Sequence, residues 1–128
     1  MLKHASTIRQ VLYAVLTVVG FVWTQYYLIQ FVEQTSGAFT LANLLAFDWI
    51  KFFSDGFANP AASFISVDVT IGLIGFIVFC IAESSRIQMR RGLICIPVAV
   101  LVAYAVAWPL FLLLRERHLQ SKEVSDST

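Results

Sequence analysis

Three apolar runs separated by polar segments set the pattern of this chain: Val11 to Val32, Ala61 to Ala82 and Gly92 to Leu114. A helix crosses a bilayer core of about 30 Å with about 20 apolar residues, so each run predicts a spanning helix. A polar head, residues 1–9, precedes the first run. That run exceeds the apolar region of a signal peptide, about 7–15 residues, and no A-x-A site follows it, so it predicts an uncleaved span. Within the third run, Pro97 and Pro109 predict a kink at one or both positions, which membrane helices tolerate. From Leu119 the chain is polar and is expected to fray.

The connection between the first two runs has a different pattern. Its apolar part is too short to span and is broken by Asp48 and Lys51, while Trp49, Phe52, Phe53 and Phe57 are residue types that settle at the water–lipid boundary. Residues 40–54 therefore predict an interfacial helix. Asp55-Gly56 and Asn59-Pro60 then mark a turn, with Pro60 placed to open the next helix. The predicted fold is a single all-α membrane domain over 1–128, with spans at about 11–32, 61–82 and 92–114.

Composition agrees. The 128 residues are 59% hydrophobic and only 13% charged, against about 25% charged in soluble domains. A net charge of +1 gives no basis for a nucleic-acid partner. Basic residues in short loops set orientation. Lys3, Arg9, Arg86, Arg90 and Arg91 outnumber Lys51, Arg115, Arg117 and Lys122 by five to four. The expectation is an N-terminus and second link inside the cell membrane, with the first link and the C-terminus outside.

Candidate chemistry is sparse. Asp68 is the only charged residue between Ala61 and Ala82. At 100° per residue, Asp68, Gly72, Gly75, Phe79, Glu83 and Arg86 fall within about 80° of one another, a face expected to turn into the bundle. In an up-down-up bundle, Thr24 and Trp108 match Asp68 in depth, Tyr104 lies one turn deeper, and the three are its expected hydrogen-bond partners. At the membrane edge stand Glu83, Arg86, Arg115 and Glu116. Glu83 and Arg86 are spaced for a local ion pair, and Arg115 is placed to snorkel to phosphates. Tyr13, Thr17, Gly20, Thr24 and Tyr27 make one face of the first span, and Ala99, Ala103 and Ala107 one face of the third. Both read as helix–helix seams, with a cavity wall as the alternative for the first. Cys80 and Cys95 lack metal or redox spacing and read as apolar filling, although a disulfide between them is geometrically allowed. His4 and His118 are expected on opposite sides, too far apart to share a metal.

The stretches FANPAASFISVDVTIGLIGFIVFCIAESSRI (57–87) and PLFLLLRERHL (109–119) resemble the small bacterial membrane proteins classed as domain-of-unknown-function family 2834. The matching features are Phe57-Ala58-Asn59, Asp68, Glu83 with Arg86, and Pro109 to Leu112 followed by Arg115-Glu116. The resemblance extends over roughly residues 10–119, and departs at Ala107-Trp108, where smaller residues are usual. It implies a three-span bacterial protein and carries over no activity.

No nucleophile–base pair, phosphate-binding loop or metal-ligand cluster is visible, so nothing in the sequence points to an enzyme, a cofactor or a metal. The lipid bilayer is the expected surrounding, with a homo-oligomer or a larger membrane complex as the expected assembly. Two functions fit: an accessory or structural subunit without catalysis, or a binder or carrier of a small lipophilic molecule or a proton through Asp68. An enzyme acting on a lipid is a distant third.

Overall fold

Two long helices dominate the structure, a computed structural model that describes residues 2–126, with side chains from Ala5 onward. They are α1, Leu2–Ser36, and, after two short helices, α4, Pro60–Arg86. Both are long and apolar enough to cross a membrane, and only 6% and 11% of their most apolar stretches is buried. A water-soluble fold hides such helices in its core, so these open apolar sides suit lipid. All regular structure among the described residues is helical. The expected placements of Lys3 and His4 fall on side chains outside the described residues.

Each long helix stops or starts for a local reason. Past the end of α1, Gly37 takes a φ of 82° and its N–H donates to the Glu33 carbonyl at 2.9 Å, a backbone state that costs glycine little. At the start of α4, the Asn59 side chain accepts from the Ala62 N–H at 2.9 Å, and Pro60 fills the first helical position. At its end, Met89 N–H donates to the Ser84 carbonyl (2.8 Å) and Gln88 N–H to that of Ser85 (3.3 Å), with Gln88 at φ 59°. These two bonds form a Schellman cap, with glutamine where glycine is usual.

The expected single helix over 40–54 is instead two helices, α2 (Leu41–Leu45) and α3 (Trp49–Asp55). The Thr40 hydroxyl accepts from Asn43 N–H at 3.2 Å, and the Asp48 carboxylate from Lys51 N–H at 2.9 Å. Each side chain caps a new helix, and a capping residue leaves helical geometry to do so.

The run 92–114 also departs from expectation. It is not one continuous helix but a 3-10 turn, Arg90–Ile94, then α5, Cys95–Leu101, and α6, Tyr104–Asp126. The break falls at Val102-Ala103, whose N–H groups both donate to the Val98 carbonyl at 3.0 Å. Neither proline sits at this break. Pro97 lies in the first turn of α5, where an N–H has no helical partner, and Pro109 lies within α6. The tail expected to fray is helical as far as Asp126; Ser127 and Thr128 lie outside the described residues.

The chain divides into two compact units, Met1–Phe21 with Leu73–Thr128, and Val22–Gly72. In the first, Phe76, Cys80, Cys95, Ala107 and Phe111 form a core, each no more than 1% exposed. Phe76 meets the rings of Tyr104, Trp108 and Phe111 at 5.9, 5.1 and 6.0 Å, and Phe79 those of Trp108 and Phe111 at 5.5 and 5.7 Å. Contacts climb together along both helices, so α6 runs parallel to α4. An up-down-up order made them antiparallel; the turn at Val102-Ala103 reverses the chain a second time. On α1, a Cβ at Gly20 would stand 2.8 Å from the Ala105 carbonyl oxygen. Pro109 has no N–H to offer that carbonyl four residues back, and only glycine lets α1 come this near it.

In the second unit, Phe31 packs against Phe47 and Phe52 at 5.2 and 5.3 Å, and Phe47 against Trp49 at 4.7 Å. This ring cluster seats α2 and α3 on the last turns of α1. The Ser66 hydroxyl donates to the Gly56 carbonyl at 2.7 Å, tying the turn before α4 to its second turn.

Candidate functional site

The charged groups of the first unit gather where α4 ends. Glu83, 7% exposed, receives Nε and a terminal nitrogen of Arg86, both at 2.7 Å, and Arg115 Nε at 2.6 Å. Arg115, expected to reach for lipid phosphates, is turned to this carboxylate instead. A carboxylate bound by two guanidinium groups is held by charge-assisted bonds of the strong kind.

Beside it lies a second cluster that spacing alone did not bring to notice. Glu116 accepts from the Ser6 hydroxyl at 2.8 Å and from Arg9 at 3.0 and 3.2 Å. Gln120 accepts from Gln10 and donates to Ser6, both at 2.7 Å. Burial pushes the Glu116 carboxyl up, but the hydrogen bonds from Arg9 and Ser6 outweigh it and leave the group below its ordinary value. The available signal was a polar stripe, Ser6, Arg9 and Gln10 on one helix and Glu116 and Gln120 at i and i+4 on another.

A third arrangement closes the end of α4. The Ile87 carbonyl accepts from His118 Nε2 at 2.9 Å and from Lys122 Nζ at 2.8 Å. The first bond requires a proton on Nε2. The Lys122 ammonium suits the partly negative C-terminus of a helix. His118 thus sits beside α4, in the same unit and at the same end as Ser6 and Arg9. Within this unit the polar half of α6 lies at the level where α1 begins.

Asp68 stands in contrast. It belongs to the second unit with Thr24, whereas Tyr104 and Trp108 belong to the first and pack on Phe76. The depth match that set Tyr104 and Trp108 beside Asp68 assumed an antiparallel third helix, so it loses its premise. The Asp68 side chain is exposed and lines a shallow open depression with Ser63, Phe64, Val67 and Ile71. Two neighbouring hydroxyls are committed elsewhere, Ser66 to Gly56 and Thr70 to the Ser66 carbonyl at 2.6 Å.

Cys80 and Cys95 are both free thiols, fully buried in the first unit. Cys80 donates to the Gly92 carbonyl at 3.2 Å. Among the described residues no group of three His, Cys, Asp or Glu side chains stands together as a metal site would require.

This arrangement of helices was compared with known proteins. No curated protein and no solved structure matches the chain. Residues 12–117 match a family described as protein of unknown function DUF2834. That match takes in α4 with Asp68, the Glu83 cluster and α6 as far as Arg117, most of the chain, and the protein therefore belongs to the DUF2834 family.

Proposed function

We propose that this protein is a non-catalytic subunit of a membrane assembly, and that Asp68 is the point at which a helix of a membrane partner completes it. The supporting observation is the contrast in satisfaction. Glu83 and Glu116 each have several donors, while Asp68, within a helix apolar enough to span, is exposed and reached by no donor among the described residues. An acidic side chain costs up to about 2.5–3.5 kcal/mol on insertion scales, the upper figure at the helix centre, so such groups face a bundle interior or a cavity. The Ser66 and Thr70 hydroxyls are spent on backbone carbonyls, and the donor that completes Asp68 comes from a partner. A partner helix carrying a hydroxyl, amide or basic side chain supplies it.

A second reading rests on the depression itself. Its lining of Phe64, Val67 and Ile71 around one carboxylate suits a small lipophilic molecule with a polar end, or a site that holds a proton.

The test is purification from native membranes in mild detergent, wild type beside Asp68→Asn, with mass spectrometry of the proteins and lipids retained. A photoreactive residue at Ile71 maps what lies against the face. The proposal expects one stoichiometric protein, crosslinked at Ile71 and reduced at least tenfold by the substitution. A protein retained equally by both samples keeps the subunit reading and removes Asp68 from it. A small molecule lost with the substitution makes the second reading the right one, and recovery of neither overturns both.

A further inference from the structure

We infer that residues 92–114 enter the membrane and turn back without crossing it, which leaves both ends of the chain and the link 87–91 together at one basic, cytoplasmic face.

Lengths decide the first part. From Gly92 to Leu101 the 3-10 turn and α5 rise about 16 Å, and the apolar part of α6, Tyr104 to Leu114, also rises about 16 Å. Each arm is about half of a 30 Å bilayer core. In series they would cross it, but they do not run in series. Cys80 near the end of α4 bonds Gly92 at the top of the descending arm. Phe76, one turn earlier on α4, meets Tyr104 at the foot of the ascending arm, and Glu83 and Ile87 meet Arg115 and His118 at its head. The chain goes down beside α4 and comes back up beside it. At the turn the Val102 and Ala103 N–H groups both donate to Val98, and the Ala103 carbonyl accepts from Val106 and Ala107, bonds that non-helical backbone at membrane depth requires.

α1 gives an independent register. Ser6 and Arg9 meet Glu116, and Gly20 meets Ala105, so α1 descends as α6 ascends. The start of α1, the end of α4 and the polar half of α6 therefore share one level.

Charge then assigns the side. Arg9 on α1, Arg86, Arg90 and Arg91 around the link, and three more basic residues on α6 stand at this level, against Lys51 alone in the connection between α1 and α4. The five-to-four balance of a three-span order becomes seven to one among described side chains. Such an excess marks the cytoplasmic side. Arg90, Arg91 and Arg117 are exposed and enter no ion pair among the described residues. They are the cations that meet anionic headgroups of the inner leaflet.

Single cysteines at Gln88, Glu123 and Ala58, all exposed, test this with a membrane-impermeant maleimide on sealed vesicles of known sidedness; the native thiols are buried. The expected result is that Gln88→Cys and Glu123→Cys react only from the cytoplasmic side and Ala58→Cys only from the other. Reaction of Glu123→Cys from the side that labels Ala58→Cys would restore a crossing third helix and overturn the inference. Reaction of Gln88→Cys from outside would overturn the assignment of sides. A second measurement does not depend on sidedness. Bridging of the pair Ser6→Cys and Gln120→Cys, whose native side chains bond at 2.7 Å, by a short bifunctional maleimide should link α1 to α6 within one chain in membranes, and a failure to crosslink would overturn the register.

Discussion

Glu83 and Asp68 lie on the same helix, fifteen residues apart, and are treated in opposite ways. Glu83 is almost fully covered and bound by two arginines, one from its own helix and one from α6. Asp68 is exposed, beside hydroxyls that donate elsewhere. A carboxylate bound inside its own chain works for the fold, and the energy it contributes is visible in stability. A carboxylate the chain leaves unbound contributes nothing to the monomer, so its value has to appear in assembly or binding. The difference separates a structural acid from a functional one by measurement rather than by position.

The sharpest way to break the comparison is to neutralise both. Glu83→Gln leaves Arg115, itself half-buried, without its anion. Breaking a fully buried pair costs about 3–5 kcal/mol, and the partial exposure here reduces the expected loss to about 2–3 kcal/mol. Asp68→Asn removes no bond, so the expected change lies within about 0.5 kcal/mol. Thermal unfolding of the two variants in detergent reads both numbers. Equal losses would mean that Asp68 is held within the fold after all, and the contrast would collapse.

Glycines sharpen the same contrast between covered and open surface. At Gly20 an added methyl meets the Ala105 oxygen, which belongs to a helix backbone and cannot step aside, whereas at Gly75 it meets nothing within 4 Å. Overpacking of this kind costs about 1–3 kcal/mol. Replacing glycine in a helix returns up to about 1 kcal/mol of propensity. Gly20→Ala is therefore expected to destabilise by about 1–2 kcal/mol and Gly75→Ala to be neutral or mildly stabilising, as the same unfolding measurement reports.

These residues also show what could be read from the chain and what could not. Apolar runs of 22 residues predicted two long helices because length and hydropathy are local properties, and Pro60 marked the start of α4 for the same reason. The hairpin in 92–114 was not legible. Its apolar run is as long as a span, and the turn is made by two N–H groups sharing the Val98 carbonyl, which no residue type announces. The depth match of Thr24, Tyr104 and Trp108 to Asp68 rests on an uninterrupted third helix, which this turn replaces with two helices. Asp68 itself was plain as the sole charge in its run. Whether it was satisfied depended on tertiary contacts, which sequence spacing does not contain.

The smallest expected effect concerns the cap that ends α4. Gln88 occupies the left-handed position at φ 59°, a state that costs a residue with a Cβ about 1–2 kcal/mol. Gln88→Gly removes that cost. It also loses the side-chain bond to the Ser85 carbonyl and gives the unfolded chain the extra freedom of glycine, about 0.5–1 kcal/mol. The balance favours the variant by about 0.5 kcal/mol, a rise in melting temperature of a degree or two. Gln88→Val keeps the strain, adds a branched Cβ and should melt lower than wild type. The pair of results tests the cap geometry directly. A lower melting point for Gln88→Gly would mean that the helix end is held by Ile87, through His118 and Lys122, with the Schellman turn merely following.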